Sequence, residues 1–232
     1  MKLSIIMPVY NEAPTITEIL KKVNSQKKYF ELEVIISDDC STDLTRQLLN
    51  NHKNFYQKIF LGEKNKGKGA AIKAVQGMVS GDIVIIQDAD LEYDPADYSQ
   101  LVRPIIDNKT KVVYGSRVIG KKRYEMKNFL SFWRIFFNHL LTILSNTLNK
   151  QDLTDAHTCY KVFSRDIFQS LNLSETGFGF CPDVTSQLGK LNENILEVPI
   201  FYKGRSAVQG KKIAISDGFR ALYVLLKHRF FK

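Results

Sequence analysis

The sequence predicts an α/β fold in which a mostly parallel sheet is covered by helices on both faces. Short apolar runs alternate with segments of helical periodicity, and several runs are apolar throughout rather than at every second residue. Polar and acidic residues follow the ends of these runs. Ligands bind beyond the carboxyl ends of the strands in such sheets, so the fold class also predicts where a functional site lies.

Each predicted strand is a short apolar run, and helices separate most of the strands. The first strand, Leu3–Val9, leads into a helix that Pro14 can open, because proline is tolerated in a first helical turn. The second strand, Glu33–Ser37, precedes a helix that Ser41, Thr42 or Asp43 can cap. The remaining elements are a strand over Lys58–Leu61, a helix over Gly67–Val79, a strand over Ile83–Gln87, a helix over Pro95–Ile106 and a strand over Lys111–Tyr114.

Composition limits the class of protein. The chain has 232 residues, of which 44% are apolar, so it can bury a substantial core. Its net charge of +9 favours an anionic partner: nucleic acid, a phosphorylated small molecule or an acidic membrane surface. The three cysteines are far apart and form no CxxC motif, which favours a reducing compartment. We expect neither a signal peptide nor a membrane span, because no apolar run is long enough.

The second half of the chain is more basic and more apolar. Lys121–Lys127 is a basic loop, and Phe129–Leu148 is an apolar segment interrupted by Arg134, Asn138 and His139. That segment is too polar to span a bilayer, so it is either a core helix or a helix in a membrane interface.

The C-terminal tail, residues 211–232, reads as a basic amphipathic helix. Its apolar residues Phe219, Leu222, Tyr223, Leu226 and Phe230 share one helical face, and Asp217 is its single acid. Such a helix is typical of a membrane surface, but a helix docked on the sheet with a charged rim has the same pattern.

The segment IVIIQDADLEYDP, residues 83–95, brings several carboxylates to one strand end. Asp88 and Asp90 are separated by Ala89, and Glu92 continues the spacing. If the strand persists, Asp88 and Asp90 point the same way. Paired carboxylates in a partly dry cleft require a counter-charge, and Mg²⁺ or Mn²⁺ supplies one. The alternative is a solvated acidic turn before Pro95.

A near-match to a phosphate-binding P-loop precedes this segment. Gly62, Gly67 and Lys68 have the P-loop spacing, but Gly69 stands where the motif needs a hydroxyl that binds magnesium. Backbone amides and Lys66 or Lys68 beside a phosphate remain a possible arrangement.

Five segments in order, PVYNE, SDDCSTD, NKGKGAAI, QDADLEYDP and VVYGSR, resemble the family 2 glycosyltransferases of the GT-A fold. The resemblance covers nearly the whole chain. The later segments DLTDAHTCYKVFSRDIF, GFGFCPDVTSQL and EVPIFYKGR resemble the polyprenyl-phosphate branch, which includes the dolichyl-phosphate mannosyltransferases. Departures from the branch fall at Cys159, where glycine is frequent, and at Cys181, where an acid is frequent; we expect both on the acceptor side.

The resemblance implies a Rossmann-like GT-A domain over residues 1–210, with a nucleotide-sugar half (1–120), an acceptor half (121–210) and the tail. It implies an inverting, Mn²⁺- or Mg²⁺-dependent transfer of a hexose from a UDP- or GDP-sugar to dolichyl or undecaprenyl phosphate. The protein would act in the cytoplasm at the cytoplasmic face of a membrane, through its basic tail or on a separate membrane-protein partner. Nucleic acid is not an expected partner, because the basic residues form no recognisable module.

The same resemblance assigns roles to individual residues. The base and ribose would be lined by Pro8, Tyr10, Asn11 and Glu12, with Asp39 bonded to the base and Lys66 and Gly69 bordering the nucleotide. The metal would be held by Asp88 and Asp90, with Ala89 between them and Glu92 as a further ligand. The acceptor phosphate would face Arg117, with Arg134 and Arg205 as helpers.

The acceptor determines whether a general base is needed. A phosphate monoester is already an anion, so arginines that offset its repulsion from the donor are sufficient. A sugar hydroxyl needs a base, for which Asp183 is the best candidate, although Asp183 can equally be a structural acid. His139 and His157 are interpreted as structural.

Overall fold

A computed structural model describes residues 1–120, 129–205 and 215–231, without the side chains of 129–134 and 215–216. The basic loop over Lys121–Lys127 lies outside the described residues. The strands are β1 (Lys2–Val9), β2 (Glu31–Asp38), β3 (Lys58–Leu61), β4 (Ile83–Ile86), β5 (Val112–Ser116), β6 (Lys161–Ser164) and β7 (Ile195–Pro199). The helices are α1 (Ile16–Ser25), α2 (Thr45–Asn51), α3 (Lys68–Ala74), α4 (Tyr98–Ile106), α5 (Phe129–Asn149), α6 (Arg165–Ser170), α7 (Phe180–Lys190) and α8 (Ile215–Phe230).

The described strands form a seven-stranded sheet in the order β3-β2-β1-β4-β6-β5-β7. Every pairing is parallel except those of β6, which runs antiparallel to both β4 and β5. The predicted mostly parallel sheet is therefore confirmed. The chain winds outward from β1 to β3 and then continues with β4 on the other side of β1. The crevice between β1 and β4 is thus a topological switch point, where open α/β sheets bind ligands.

Helices cover both faces of the sheet, as predicted. Side chains of α1, α2 and α4 bury one face together with Ile5 and Met7, and side chains of α3, α6 and α7 bury the other together with Ile6. Neighbouring residues of β1 thus enter opposite cores, as the alternation of a strand requires.

Some predicted boundaries are wrong for local reasons. The helix expected over Gly67–Val79 ends at Ala74, because Val75 leaves helical geometry with φ −112° and ψ 5°. The helix expected from Pro95 begins at Tyr98, after a 3₁₀ turn whose first amide, that of Ala96, bonds to the side chain of Asp94. Strands from both sides of residue 120 share one sheet, since β6 lies between β4 and β5, and the division into a nucleotide-sugar half and an acceptor half stays a prediction.

The C-terminal helix α8 packs against α7 and α5, and α5 also packs against α7. Within the described residues, no helix combines the length and apolar character that crossing a membrane requires.

Glu33 anchors the amino edge of the sheet. This carboxylate is 2% exposed and accepts hydrogen bonds from Lys58, Ser4 and Ser80 at 2.8 Å or less, with Lys2 at 3.4 Å. Although burial alone would raise it, these donors hold the pKa of Glu33 well below its ordinary value.

We expect Glu33→Gln to lower the free energy of unfolding by about 2 kcal/mol at neutral pH, because Lys2 and Lys58 lose a buried partner. A carboxylate with a lowered folded pKa stabilises above its unfolded pKa of about 4.3, and this contribution fades as the pH falls below that value. Urea denaturation at pH 7 and pH 3 measures both effects. A difference between variant and wild type that is the same at both pH values would contradict this account.

Candidate active site

The carboxyl edge of the sheet gathers charged residues around the switch point. They follow three parallel strands that are far apart along the chain: Glu12 after β1, Asp88, Asp90 and Glu92 after β4, and Tyr202 and Arg205 after β7. Because β6 is antiparallel, its amino end, with Cys159, lies at the same edge.

The acidic segment is a turn rather than a continued strand. β4 ends at Ile86, and Leu91 adopts a left-handed conformation with φ 62°. The expectation that strand alternation aligns Asp88 with Asp90 is therefore wrong. The Oδ1 atom of Asp90 instead accepts a hydrogen bond from the amide of Glu92 at 3.1 Å, which closes the turn.

A buried glutamine supports the start of this turn. Gln87 accepts hydrogen bonds from the hydroxyls of Tyr98 at 2.8 Å and Tyr160 at 2.7 Å, and it donates to the carbonyl of Asp88 at 3.0 Å. The carboxylates that follow are thus carried on a backbone that the core holds in place.

Two cations of the protein pair with the acids. Lys68 forms an ion pair with Asp88. Arg205 donates to Asp90 at 2.9 Å and, through both terminal nitrogens, to Glu12 at 3.1 and 3.3 Å. The acid predicted at the ribose and the acid predicted at the metal therefore share one arginine.

The acids nonetheless repel each other. Burial, with the charges of Asp88 and Glu92, raises the pKa of Asp90 to about 7, against the opposing charge of Arg205. The charge of Asp88 raises the pKa of Lys68 although burial works the other way. Asp88 and Asp90 therefore form an oxygen donor set with excess negative charge, which fits a hard divalent cation.

Among the described residues, no three histidine, cysteine or acidic side chains are already arranged around one metal position. Asp88 and Asp90 would thus share a metal with oxygens from a bound phosphate or water, as Mg²⁺ commonly does. Glu92 is engaged elsewhere: its two carboxylate oxygens accept from the Tyr202 hydroxyl at 2.9 Å and from the Arg205 amide at 2.6 Å. A metal-ligand role for Glu92 stays a prediction.

The predicted base-binding residues shape the loops beside β1 and β2. Asp39 accepts hydrogen bonds from the amides of Lys66 at 2.9 Å and Gly67 at 2.6 Å. Asn11, with φ 51°, accepts from the amide of Thr42 at 2.8 Å. Contacts with a base or ribose stay predictions for these residues, as they do for Pro8 and Tyr10, which lie half-buried at the end of β1.

Two predicted nucleotide neighbours are packed inside the protein. Ala89 is buried, and a Cβ atom built on Gly69 would lie 2.0 Å from the carbonyl oxygen of Glu175. The structure therefore gives Gly69 a packing role. Lys66 is exposed, and the neighbouring Lys68 reaches the acids instead.

On the acceptor side, Arg117 lies in a buried pair with Asp155. Its Nε and Nη2 atoms donate to the two carboxylate oxygens at 2.6 and 2.7 Å, and the ring of Tyr202 lies 5.2 Å from the guanidinium carbon. Glu197 accepts from the amides of Thr154 and Asp155 and fixes this segment. Arg117 is therefore held rigidly at the edge, and its contact with an acceptor stays a prediction.

Asp183 is fully buried and accepts hydrogen bonds from Ser174, Glu175, Gln187 and His228. Burial opposes the effect, but the bonds from His228 and Gln187 lower the pKa of Asp183. These surroundings suit the structural role and not a general base.

The remaining predictions concern His157, interpreted as structural, and Arg134, expected to help bind the acceptor. Burial, together with the charge of Lys161, lowers the pKa of His157 to about 4, which agrees with a structural interpretation. The side chain of Arg134 lies outside the described residues.

Sequence reasoning missed several residues of this edge. Lys68 is expected beside a phosphate but not paired with Asp88, and Tyr202, within the segment EVPIFYKGR, has no predicted role of its own. Asp155 had no distinguishing signal, since its partner lies 38 positions earlier. Cys159, expected on the acceptor side, lies beside Asp88, and burial with that charge raises the pKa of its thiol.

The sequence profile described as glycosyl transferase family 2 matches residues 4–171. Among curated proteins, the chain is 25% identical to a dolichol-phosphate mannosyltransferase of Pyrococcus furiosus, covering 98% of this chain but 64% of that protein. It is 28% identical to a dolichyl-phosphate beta-glucosyltransferase of Trichomonas vaginalis, covering 99% and 73%. It is 29% identical to a UDP-N-acetylglucosamine–dolichyl-phosphate N-acetylglucosaminyltransferase of Methanococcus voltae, covering 96% and 94%.

Solved structures share the fold. A glucosyl-3-phosphoglycerate synthase of Mycobacterium tuberculosis, in complex with Mg²⁺ and UDP, superposes with a TM-score of 0.72 at 18% identity, covering 98% of this chain and 79% of that one. Its complex with Mn²⁺, UDP-glucose and phosphoglyceric acid gives a TM-score of 0.70 at 18% identity with the same coverage. The GT-A fold is thereby confirmed.

We expect Gly69→Ala to lower the free energy of unfolding by about 1–3 kcal/mol, because the new methyl group collides with the backbone of Glu175. Gly77→Ala is the matched control, since a Cβ atom there meets nothing within 4 Å. Thermal unfolding of both variants measures the difference. Equal melting temperatures for the two variants would contradict the close packing at Gly69.

Proposed function

The chain belongs to glycosyl transferase family 2, and from this premise we propose that it transfers a hexose from a nucleoside diphosphate sugar to a polyprenyl phosphate. The observation that carries the proposal is the pairing of Asp88 with Lys68 and of Asp90 with Arg205 at the switch point of the sheet. Acids and cations are thus together in one crevice, which supports the proposal of a divalent cation bound by the acids and a diphosphate bound by the cations.

The chain's own residues have defined tasks toward the donor. Lys68 and Arg205 lie where they can exchange their carboxylate partners for the oxygens of a diphosphate, which Arg205 can bind through two nitrogens. Mn²⁺ or Mg²⁺ at Asp88 and Asp90 would supply positive charge for the nucleoside diphosphate leaving group. The structural neighbours, whose complexes contain these ions with UDP or UDP-glucose, support this choice of metal.

The acceptor assignment rests on the similar curated proteins, whose names include dolichol- or dolichyl-phosphate transfer. A phosphate monoester with a second pKa of about 6 is an anion at neutral pH and attacks without a general base. The buried, fully bonded Asp183 agrees with a reaction that needs none. Arg117 would face the acceptor phosphate, with Arg134 beside it, and displacement in one step would invert the anomeric centre.

We further propose that the protein acts at the cytoplasmic face of a membrane, as a peripheral protein. Three side chains of α8 contact buried acids: Arg220 and Lys227 pair with Glu175, and His228 is hydrogen-bonded to Asp183. Its exposed residues include large apolar side chains, and α5 adds more beside them: Phe219, Tyr223, Leu226 and Phe230 on α8, and Phe136, Phe137, Leu140 and Ile143 on α5. We therefore expect the exposed apolar side chains of α8 and α5 to contribute more to membrane binding than the positive charge of α8 does.

Asp90→Ala should lower transfer to undecaprenyl or dolichyl phosphate by about a hundredfold or more, because the donor's leaving group loses its counter-charge. The assay uses Mn²⁺ with UDP- and GDP-hexoses, after a thermal-shift screen for the donor that stabilises the protein. Asp166→Ala, which removes an exposed acid at the opposite edge of the sheet, is the control.

Persistent activity in Asp90→Ala would refute the metal assignment. Transfer only to a saccharide hydroxyl, with loss of activity in Asp183→Asn, would instead favour the alternative of a hydroxyl acceptor.

Replacing Phe219 and Phe230 by serine should weaken binding to vesicles with anionic lipids by about tenfold or more, since each phenyl ring buried in lipid contributes about 1.5–3 kcal/mol. Tyr29→Ser, which removes an equally exposed ring elsewhere, should bind like wild type. Vesicle sedimentation at low and high salt separates the contribution of the apolar side chains from that of charge. Binding that salt abolishes and the double variant retains would show that charge alone attaches the protein.

A further inference from the structure

A buried carboxylate, Glu175, stands between the C-terminal helix and the donor side of the crevice. The segment around it, residues 174–176, lies in the loop between α6 and α7 and has no part in the proposed chemistry. Its contacts run in two directions, toward α8 and toward α3.

Toward α8, Glu175 is bound by two cations. Arg220 donates to one carboxylate oxygen through Nε at 2.9 Å and Nη2 at 2.7 Å, and Lys227 lies 3.4 Å from the other oxygen. The Glu175 side chain is 3% exposed, whereas that of Arg220 is 52% exposed. The acid is therefore the buried member, and replacing its α8 partners by neutral residues would leave a buried charge uncompensated.

A second acid attaches the same segment to α8. Asp183 accepts from the backbone amides of Ser174 and Glu175, both at 3.1 Å, and from His228 of α8 at 2.8 Å. The position of residues 174–175 thus depends on α8 through two carboxylates.

Toward the donor side, this segment packs on the start of α3 with no spare room. The amide of Ala70 donates to the carbonyl of Thr176 at 3.0 Å. A Cβ atom on Gly67 would lie 2.7 Å from that same carbonyl oxygen, and one on Gly69 would lie 2.0 Å from the carbonyl oxygen of Glu175. A shift of the segment must therefore move α3 or open a gap beside it.

The start of α3 carries two contacts of the candidate site. Lys68 pairs with Asp88, and the amide of Gly67 bonds to Asp39 at 2.6 Å. A continuous series of contacts therefore leads from α8 through Glu175 to both acids.

We propose that Glu175 is a positioning residue that couples the docking of α8 to the binding of the donor nucleotide. The donor then binds tightly while α8 is docked, and by thermodynamic reciprocity a bound donor strengthens the docking of α8. Because α8 also carries the exposed apolar face, the coupling links the membrane side of the protein to its donor site. This inference rests on the proposed function.

The test compares Glu175→Gln and Arg220→Gln with wild type in the full chain. Titration calorimetry with UDP and with GDP, each in the presence of Mn²⁺, should show nucleotide affinity reduced about fivefold or more in both variants, within the usual range of coupling between sites. Arg220→Lys keeps the charge and should recover part of the affinity. Arg220→Gln changes a half-exposed residue, so it provides the test if Glu175→Gln does not fold.

Glu33→Gln is the matched control, because it removes a buried acid with two lysine partners at the opposite edge of the sheet. It should lower the melting temperature without changing nucleotide affinity. As an independent measurement, amide hydrogen exchange in α8 should slow when the nucleotide and Mn²⁺ bind to wild type, and should slow less in Arg220→Gln at the same nucleotide saturation. A merely structural Glu175 would not produce this difference between the two proteins.

Wild-type protein that binds neither UDP nor GDP would overturn the proposed function and this inference together. Wild-type binding with unchanged affinity in both variants, or α8 exchange that ignores the nucleotide, would overturn the coupling alone.

Discussion

The arrangement of charged side chains at the carboxyl edge of this sheet is determined by the need to neutralise carboxylates in a half-buried crevice. Burial and the charges of Asp88 and Glu92 raise the pKa of Asp90, and Lys68 and Arg205 supply the opposing positive charge. The cations come from opposite sides, one from α3 and one from the segment after β7. A diphosphate bound to a metal ion brings both an anion and a cation, so it can replace both ion pairs at once. The ion pairs of the crevice therefore already have the charge pattern of the proposed complex.

Elsewhere in the chain, cationic side chains also pair with buried acids. The formal net charge of +9 suggests many free cations, yet Arg117, Arg220 and Lys227 are paired with buried acids. Such pairs contribute modest net stability but make the removal of either member costly. Much of the positive charge therefore organises loops around the crevice, which a residue count cannot show.

The features that the sequence predicts correctly are those that depend on residues close together along the chain. The first five strands and the position of the acidic segment follow from local periodicity and from the order of apolar and acidic residues. β6 could not be recognised, because Lys161–Ser164 is a four-residue run that begins with a buried lysine. Ion-pair partners had no local signal either: Arg205 pairs with Glu12, which lies 193 positions away in the chain. Pairings of that separation are set by topology, and periodicity carries no information about them.

The order of the strands has a consequence for how the molecule forms. β4 finds its second neighbour only in β6, where Ile83 pairs with Ser164, and Glu12 meets its arginine only at residue 205. Contacts of such long range are slow to form, since the entropy of closing large loops precedes their gain. During synthesis from the amino terminus, Glu12 and Asp90 emerge well before Arg205, which pairs with both. The crevice is therefore among the last parts of the protein to mature, because the arginine that joins these two acids is added near the end of the chain.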